Sequence, residues 1–404
     1  MSAPELPPEE EVPEVPRPPS LADMAPREER RGAWYKFPQE MEKLRELIRR
    51  AKSRLLIVAV GSGAIDAMVS TFKKNQDLLL SNVPAFIDTN VYTLGAAWEE
   101  LSDIMKQAEE AGLKPLLTQQ QLFDNMFPCG QQGAESDPEL GMSLWRPYAT
   151  PILRSLINQF KRFGCEGIVV VSFEGGGTGT LVGPAVAKRL REMTAGHVTV
   201  LLVSALPLRI TPRDVRNARI GLERMIEQNL KPIIIDLQTM AHALRLFEKR
   251  LTVRAIYDKG KEMVSELLGW FMRILTHRTE CIPAWDFGNL NTIIREAPEG
   301  SIGAMSLARY KDLKSMTKNW SADISLWLTC NAGRSHKCTS CTFLVGRDIT
   351  YKLQEQVKDF LIKKWGVDPD ACMVPIAVMD GYVMLSLLWG LDPHTINPPL
   401  EVRR

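Results

Sequence analysis

The sequence has no apolar run long enough to cross a membrane and no excess of charge. A transmembrane helix needs roughly 18 to 20 consecutive apolar residues, and no stretch approaches that length. The opening residues, MSAPELPPEE, lack the basic stretch and apolar core of a signal peptide. Lys and Arg number 50 against 48 Asp and Glu, which leaves a net charge of +2 and no long basic tract. The sequence therefore predicts a cytoplasmic protein with no nucleic-acid partner and no direct membrane insertion.

Cysteine is also scarce. Seven cysteines, an odd number, are scattered over 404 residues, which favours reduced thiols over a disulfide framework. One cluster stands out, the segment CNAGRSHKCTSC, whose Cys330, His336, Cys338 and Cys341 could supply four zinc ligands. Its spacing differs from paired Cys-x₂-Cys knuckles, so we expect free thiols on a hairpin loop between two strands, and no metal.

The first 33 residues differ in composition from the rest. They carry eight of the 26 prolines and a glutamate run at 9–11, with few apolar residues to bury. This composition predicts a disordered tail over 1–33. A spacer is the favoured interpretation, and a docking peptide for another protein is the alternative. Ordered structure is expected to begin near Trp34.

Short apolar runs alternate with helix-length stretches through the first half of the chain. The runs, expected to be strands, are residues 54–60, 83–88, 167–173, 198–206 and 231–236. Because they are apolar throughout, they predict a parallel sheet covered on both faces. This is the pattern of an α/β, Rossmann-like nucleotide-binding domain over 34–250.

The second half is organised differently. Residues 251–276 keep an apolar stripe at helical spacing, which predicts a long central helix within 251–280. Residues 281–400 then read as a smaller mixed α/β domain, with a helix at 350–366. Its expected strands are 322–330, 342–348, 372–379 and 382–391. Asp380-Gly381 between the last two strands predicts a hairpin.

The stretch FEGGGTGTLVGPAVAKRLRE, residues 173–192, places a glycine-rich loop between a strand and a helix. That order gathers unpaired backbone N–H groups at the positive end of a helix, and glycines let an anion approach the backbone. The segment therefore predicts a phosphate site, with Thr178 and Thr180 as added donors and Pro184 in the first helical turn. It is neither a P-loop nor a dinucleotide fingerprint. A turn without a ligand is the alternative.

The stretch also resembles a family signature, the Gly-Gly-Gly-Thr-Gly followed by Thr or Ser of tubulin and FtsZ. VGSGAIDAM (60–68) resembles the family's first phosphate loop, and FIDTNVYTL (86–94) its Ile-Asn-Thr-Asp loop with Asn and Asp exchanged. DPELG (137–141) is similar to Asn-Pro-Glu-Val-Gly, whose Glu is implied to touch the ribose. Segments 301–308, 346–361 and 368–381 resemble the second domain of FtsZ. The likeness covers about residues 50–393.

The resemblance implies the tubulin/FtsZ fold and a GTP or GDP site, with Mg²⁺ as an optional further cofactor. The implied nucleotide-binding residues are Gly61, Ser62, Gly63, Asp66, Asp88, Asn90, Glu139, Gly175, Gly176, Gly177, Thr178, Gly179, Thr180, Asp236, Tyr257 and Lys261. Tyr257 matches the aromatic residue that stacks on the base. The implied partner is a second copy of the chain in a head-to-tail protofilament, in which each subunit completes the GTPase site of the next.

Several positions depart from the family pattern. The base-reading Asn after KPIIID is replaced by Asp236 and Leu237, and Lys261 stands where a second Asn or Asp is expected. Lysine only donates, so it cannot pair with the N–H groups of guanine, whereas Asp236 could accept from them. In the first loop Ile65 replaces a glycine and cannot easily take a positive φ, so this loop must follow a different course. For Asp66, a helix N-cap is the alternative to a ligand contact.

The loop CIPAWDFGNLNTII, residues 281–294, resembles the synergy loop that one subunit presents to the nucleotide of another. By that likeness Asp286 and Asn289 stand where FtsZ has two water-polarising aspartates, and Ala284 stands where it has Asn. An amide cannot accept a proton, and loss of such a group costs about 10² to 10⁴ in rate. Slow hydrolysis is therefore expected, with Glu280 as the next candidate acid.

These residues are compatible with three functions. A filament-forming GTPase is favoured, and a filament or scaffold protein that barely turns nucleotide over, or no longer binds it, is the alternative. An unrelated oxidoreductase would need a glycine at Asp66 and would leave 173–180 unexplained. The chain ends at Arg404 without room for the linker and anchor peptide usual in FtsZ, so a divergent FtsZ-like protein is expected.

Overall fold

A computed structural model describes most of the chain beyond the first 37 residues. The described residues are 38–51, 53–243, 245–246, 251–277, 281–282, 285–326 and 330–396. The predicted tail at 1–33 lies outside them, as do Glu280 and Ala284. Within the described part, no helix combines the length and the apolar character that crossing a membrane requires.

A single large sheet runs through the protein. Its strands are β1 Leu55–Val60, β2 Val83–Asp88, β3 Met126–Pro128, β4 Gly167–Phe173, β5 Thr199–Leu206, β6 Ile233–Asp236, β7 Cys281–Ile282, β8 Ile302–Tyr310, β9 Gly333–Val345, β10 Val367–Met373, β11 Ile376–Ala377 and β12 Tyr382–Asp392. The five strands predicted in the first half are all present, and each is almost wholly buried.

The strands follow the order β3-β2-β1-β4-β5-β6-β8-β12-β9-β11-β7, with β10 paired to β9. From β3 to β8 the pairing is parallel, which confirms the predicted parallel sheet. Leu55, Gly167 and Thr199 lie side by side at the amino ends of their strands. The carboxyl ends of these strands therefore share the other edge, where ligands of open α/β sheets bind.

Helices cover the sheet. They are α1 Pro38–Arg50, α2 Ser62–Lys74, α3 Gln76–Ser81, α4 Val91–Glu110, α5 Gln119–Asp124, α6 Pro138–Trp145, α7 Ala149–Arg162, α8 Thr178–Met193, α9 Pro212–Glu227, α10 Leu237–Ala243, α11 Val253–Thr276, α12 Phe287–Glu296, α13 Leu313–Leu326 and α14 Tyr351–Trp365. The predicted central helix is confirmed as α11, which the Thr252 hydroxyl caps by accepting from the Ala255 N–H. Its buried stripe includes Val264, Leu268 and Phe271.

Three predictions in the second half are wrong. Residues 322–326, expected to start a strand, end helix α13, and residues 333–341, expected to be a loop, belong to the long strand β9. The Asp380-Gly381 hairpin is also absent, because β11 and β12 both pair with β9 and lie on opposite sides of it. Gly381 still makes a turn at φ 92°, but that turn carries the chain across β9. Local turn chemistry does not specify which strand becomes the neighbour.

Candidate functional site

A cleft of about 440 Å³ opens at the carboxyl edge of the parallel strands. Twelve of the sixteen residues implied for nucleotide binding line it: Gly61, Ser62, Gly63, Asp88, Asn90, Gly175, Gly176, Gly177, Thr178, Gly179, Tyr257 and Lys261. Asp66, Glu139, Thr180 and Asp236 do not. The cleft lies between the two glycine loops on one side and the N-terminal half of α11 on the other.

The first glycine loop is reduced to one residue. Gly61 has φ 83°, and α2 begins at the next residue. A Cβ on Gly61 would lie 2.9 Å from the Gly179 nitrogen, so only glycine lets the two loops meet. Ile65 lies within α2 and is buried, so it needs no positive φ. The sequence predicted that this loop follows a different course, and the structure accounts for it because α2 begins directly after Gly61.

The second loop ends at Gly177, which precedes α8 without a side-chain cap. The first N–H groups of α8 are therefore available to an anion. The Thr180 hydroxyl contacts the backbone instead, donating to the Glu174 and Gly176 carbonyls at 2.8 and 2.6 Å. It shapes the loop from behind and does not line the cleft. Pro184 was predicted in the first turn but is the seventh residue of α8, because the helix begins already at Thr178.

Asp88 forms a buried polar cluster with two threonines. Its Oδ1 accepts from the Thr89 N–H at 2.7 Å and the Thr178 hydroxyl at 3.2 Å. The two threonine hydroxyls are 2.6 Å apart. No donor among the described residues reaches Oδ2. Burial raises the pKa of Asp88 to about 6, against the lowering effect of its hydrogen bonds, and the charge of Asp66 raises it further.

Asn90 and Glu139 occupy helix starts beside the cleft. The Asn90 side chain caps α4 by accepting from the Tyr92 N–H at 3.0 Å. Asp137 caps α6 in the same manner through the Glu139 N–H at 2.9 Å. Glu139 itself is exposed and lines a separate groove of about 1070 Å³ against α7, α8 and α9. The structure therefore does not bring Glu139 to the cleft, where its implied ribose contact would be made.

The far wall of the cleft carries Tyr257, Lys261 and Asp214. Lys261 Nζ lies 2.8 Å from Asp66 Oδ2, and both side chains are partly exposed. Asp66 is the fifth residue of α2, so the alternative interpretation of it as an N-cap is wrong. Partial burial raises the pKa of the Tyr257 hydroxyl, and the charge of Asp214 raises it further. The ion pair thus spans the region where the resemblance places the base.

Asp236 is fully buried and does not line the cleft. Its carboxylate pairs with Arg209 at 2.8 Å and accepts from the Gln238 N–H and the Thr239 hydroxyl. These partners occupy both carboxylate oxygens. Leu237, the next residue, lines the cleft in its place. In this arrangement Asp236 stabilises the start of α10 and has no free edge for a base.

Asp286 and Asn289 lie at the opposite edge of the sheet. Thr199 at the amino end of β5 donates its hydroxyl to the Phe287 carbonyl at 2.6 Å, and Phe287 packs on Gly167 at the amino end of β4. A seven-residue strand such as β4 spans about 20 Å. Asp286 therefore cannot reach the cleft of its own subunit.

The described cysteines of the cluster do not converge on one point. Cys338 and Cys341 are three apart on β9, so they point to opposite faces of the sheet and belong to different hydrophobic clusters. Cys330 is buried, and burial raises the pKa of the Cys330 and Cys338 thiols. The His336 side chain lies outside the described residues. Among those described, no group of three or more His, Cys, Asp or Glu could hold a metal.

Three residues at the site were not predicted from the sequence. Asp214 lines the cleft; its N–H is capped by Thr211 at 3.1 Å, and Thr-Pro-Arg-Asp is a recognisable helix start. Thr89 bonds to Thr178 in the cleft wall. Glu174 is fully buried behind the second loop, where Ser172 and Ser204 each donate to Oε1 at 2.6 Å. No local pattern signals Glu174, because its burial depends on helix α9.

No family model matches the chain. A curated relative is the cell division protein FtsZ of Aquifex aeolicus, 28% identical over 207 residues, which are 51% of this chain and 53% of that protein. The chain thus matches about half the length of this relative.

Solved structures extend the likeness over most of the fold. CetZ from Methanosaeta thermophila superposes with a TM-score of 0.61 at 19% identity, covering 84% of this chain and 87% of that one. A GTPγS-bound protofilament of CetZ2 from Haloferax volcanii gives 0.62 at 14%, covering 83% and 92%. An empty FtsZ dimer from M. jannaschii gives 0.62 at 15%, covering 87% and 92%. The chain has the tubulin/FtsZ fold, and the resemblance to FtsZ is confirmed.

Proposed function

We propose that this divergent FtsZ-like chain binds a guanine nucleotide in the cleft and assembles head to tail into protofilaments. The observation that carries the proposal is the placement of two motifs at opposite edges of one sheet. The glycine loops meet at the carboxyl edge, and Asp286 lies at the amino edge. One copy alone leaves the two apart, so their joint use requires a second copy. The CetZ2 relative, whose structure is a GTPγS-bound protofilament, has the same fold.

The phosphates would lie against Gly61 and the loop at 175–179, where the glycines let an anion approach the backbone and helix α8 begins without a side-chain cap. The base would lie near Tyr257 and the Asp66–Lys261 ion pair. Magnesium, if used, would arrive with the phosphates, since it commonly keeps several waters and takes one or two protein carboxylates. Residues 281–400 would form the domain that presents Asp286 to the next subunit. We also propose a cytoplasmic location for the protein.

Hydrolysis is proposed to be slow. Asp286 is the acid left in the loop at 285–294, and Asn289 contributes an amide in place of a second acid. Water attacking the terminal phosphorus would therefore be oriented by one carboxylate, with GDP and phosphate as products. Loss of one such group costs about 10² to 10⁴ in rate.

A second candidate is a filament or scaffold protein that does not hydrolyse nucleotide. It is favoured by the pairing of the residues that were expected to contact the base. Asp236 is paired with Arg209, and Lys261 is paired with Asp66, so neither of the two residues implied for base recognition offers a free acceptor pair. Such a protein would form filaments whatever nucleotide is present.

Both candidates are tested by calorimetry with GTP, GDP and ATP. Negative-stain microscopy and phosphate release are then measured at micromolar protein concentration. Heat on GTP and GDP addition together with nucleotide-dependent filaments is the expected result. Filaments without binding would favour the scaffold. A protein that binds no nucleotide and stays monomeric would show that the likeness extends to the fold alone.

A further inference from the structure

The exchange of Asn and Asp in the loop FIDTNVYTL places a carboxyl group in a buried position behind the second glycine loop. Asp88 is 2% exposed, yet it belongs to the cleft wall beside Thr178. A buried carboxyl in an anion-binding site is unfavourable when it is ionised, because a bound phosphate adds like charge nearby. Its protonation state should therefore be linked to anion binding.

The hydrogen bonds of the Thr178 hydroxyl explain how protonation of Asp88 would be linked to anion binding. Thr178 has a single hydroxyl proton, and two acceptors are within its reach: Asp88 Oδ1 at 3.2 Å and Thr89 Oγ1 at 2.6 Å. Hydrogen bonds to an ionised carboxylate are about twice as strong as neutral ones. An ionised Asp88 thus holds the Thr178 proton, and Thr89 then donates its own proton to Thr178. The Thr178 hydroxyl then has no proton left to donate to a bound phosphate.

We propose that Asp88 is a positioning residue that acts through Thr178: when its carboxyl is protonated, the Thr178 hydroxyl is free to donate to a bound phosphate oxygen, so nucleotide binding takes up a proton. The added proton would reside on Oδ2, the oxygen that no donor among the described residues reaches. This inference rests on the proposed nucleotide function and adds a proton to its binding equilibrium.

The backbone N–H groups of Asn90 and Thr89 and the Thr178 hydroxyl lower the pKa of Asp88, and few charged groups face it. Asp66 on α2 raises its pKa by like charge, and Lys261 on α11 partly offsets Asp66 through their ion pair. Cys129, after β3, donates its backbone N–H to the Asp88 carbonyl, and its thiol pKa is raised to about 12, so it stays neutral. Burial is the main reason that the pKa of Asp88 is about 6. A bound anion would raise this pKa further by like charge, and the carboxyl group would then take up a proton from the solvent.

The test is calorimetry of GDP binding to the full chain in EDTA at about pH 6.5, in two buffers of different ionisation enthalpy, with Asp88→Asn beside the wild type. The amide keeps the acceptor for the Thr89 N–H and cannot titrate. We expect net proton uptake by the wild type relative to the variant. Since one pKa unit is a factor of ten, wild-type affinity should fall about tenfold between about pH 5.5 and 7.5 beyond the change in the variant.

The comparison removes the titration of the nucleotide itself, which is common to both proteins. Asp103→Asn, an exposed acid on α4, is the matched control and should keep the wild-type proton uptake. If Asp88→Asn does not fold, Asp88→Ser takes its place. Identical pH profiles in wild type and variant would overturn this inference while leaving nucleotide binding intact. Absence of GDP binding to the wild type at every pH would instead overturn the proposed function, and this inference with it.

Discussion

The Asp286 carboxylate accepts a hydrogen bond from the Asn289 N–H at 2.8 Å, and the Asn289 side-chain oxygen accepts one from the Asp286 N–H at 2.9 Å. This reciprocal capping box starts α12 and accounts for both residue types without any catalytic role. The same geometry aims the cap at solvent, at the amino edge of the sheet. Capping and catalysis are therefore compatible, and mutations can separate them.

Asn289→Asp is expected to raise nucleotide hydrolysis by about tenfold or more, because a second carboxylate can orient the attacking water. The cap should survive, since a carboxylate oxygen accepts the Asp286 N–H as the amide oxygen does. Phosphate release at a fixed filament concentration is the measurement. Asn291→Asp, two residues further along the same helix, is the matched control and should leave the rate of phosphate release unchanged.

Asp286→Asn should remove the remaining hydrolysis while leaving stability within a few tenths of a kcal/mol, because Asn and Asp are equally good N-caps. Phosphate release and thermal melting together check this. A variant that hydrolyses as fast as the wild type would show that the acid lies elsewhere, with Glu280 as the next residue to test.

Gly176→Val should abolish nucleotide binding without unfolding the protein. A Cβ at Gly176 meets nothing within 4 Å, so the side chain would project into open space at the phosphate loop. Gly179→Ala makes the contrasting case, since its Cβ would collide with the Phe173 backbone and should destabilise the fold. Calorimetry with GDP and a thermal melt separate the two effects. Normal GDP binding by Gly176→Val would argue against this loop as the phosphate site.

Glu174→Gln should stabilise the protein increasingly as pH rises from about 6.5 to 8. Burial raises the pKa of Glu174 from 4.5 to about 8, against the hydrogen bonds from Ser172 and Ser204 that lower it. The folded state thus holds a proton that the unfolded state loses, and stability falls by about 1.4 kcal/mol for each pH unit in that window. Glutamine does not titrate, so it removes this slope.

Urea unfolding at a series of pH values measures the slope for Glu174→Gln and the wild type. The window lies above the pKa of Asp88, about 6, so that Asp88 contributes little to it. Glu135→Gln, an exposed glutamate in the same half of the protein, is the control and should keep the wild-type slope. Parallel slopes for wild type and Glu174→Gln would mean that Glu174 is ionised in the folded state.

Lys261→Asn should leave stability nearly unchanged, because partly exposed ion pairs contribute about 0 to 1 kcal/mol. It should increase the preference for GTP over ATP, since the amide oxygen can accept from a guanine N–H and Asp66 is released to do the same. Each such hydrogen bond is worth about 0.5 to 1.5 kcal/mol, so the ratio of affinities should shift several-fold. Competition binding of the two nucleotides measures it. An unchanged ratio would place the base away from Lys261.

The sequence by itself determined the parallel sheet and the place of the cleft. Apolar runs, the three glycines at 175–177 and the strand-loop-helix order are local features, and the carboxyl ends of parallel strands must share an edge. The long helix α11 followed from its periodic apolar stripe for the same reason. These features depend on residues that are neighbours in the chain.

Only the tertiary structure decided what each polar residue does. Asp236 forms an ion pair with Arg209, 27 residues away in the chain, and Asp66 forms one with Lys261, 195 residues away. Glu174 Oε2 lies against Gly221 of α9, and β9 inserts between β11 and β12 in place of the Asp380-Gly381 hairpin. Burial and charge pairing depend on which distant segments meet, and a carboxylate looks the same in the sequence whether it faces solvent, a phosphate or an arginine.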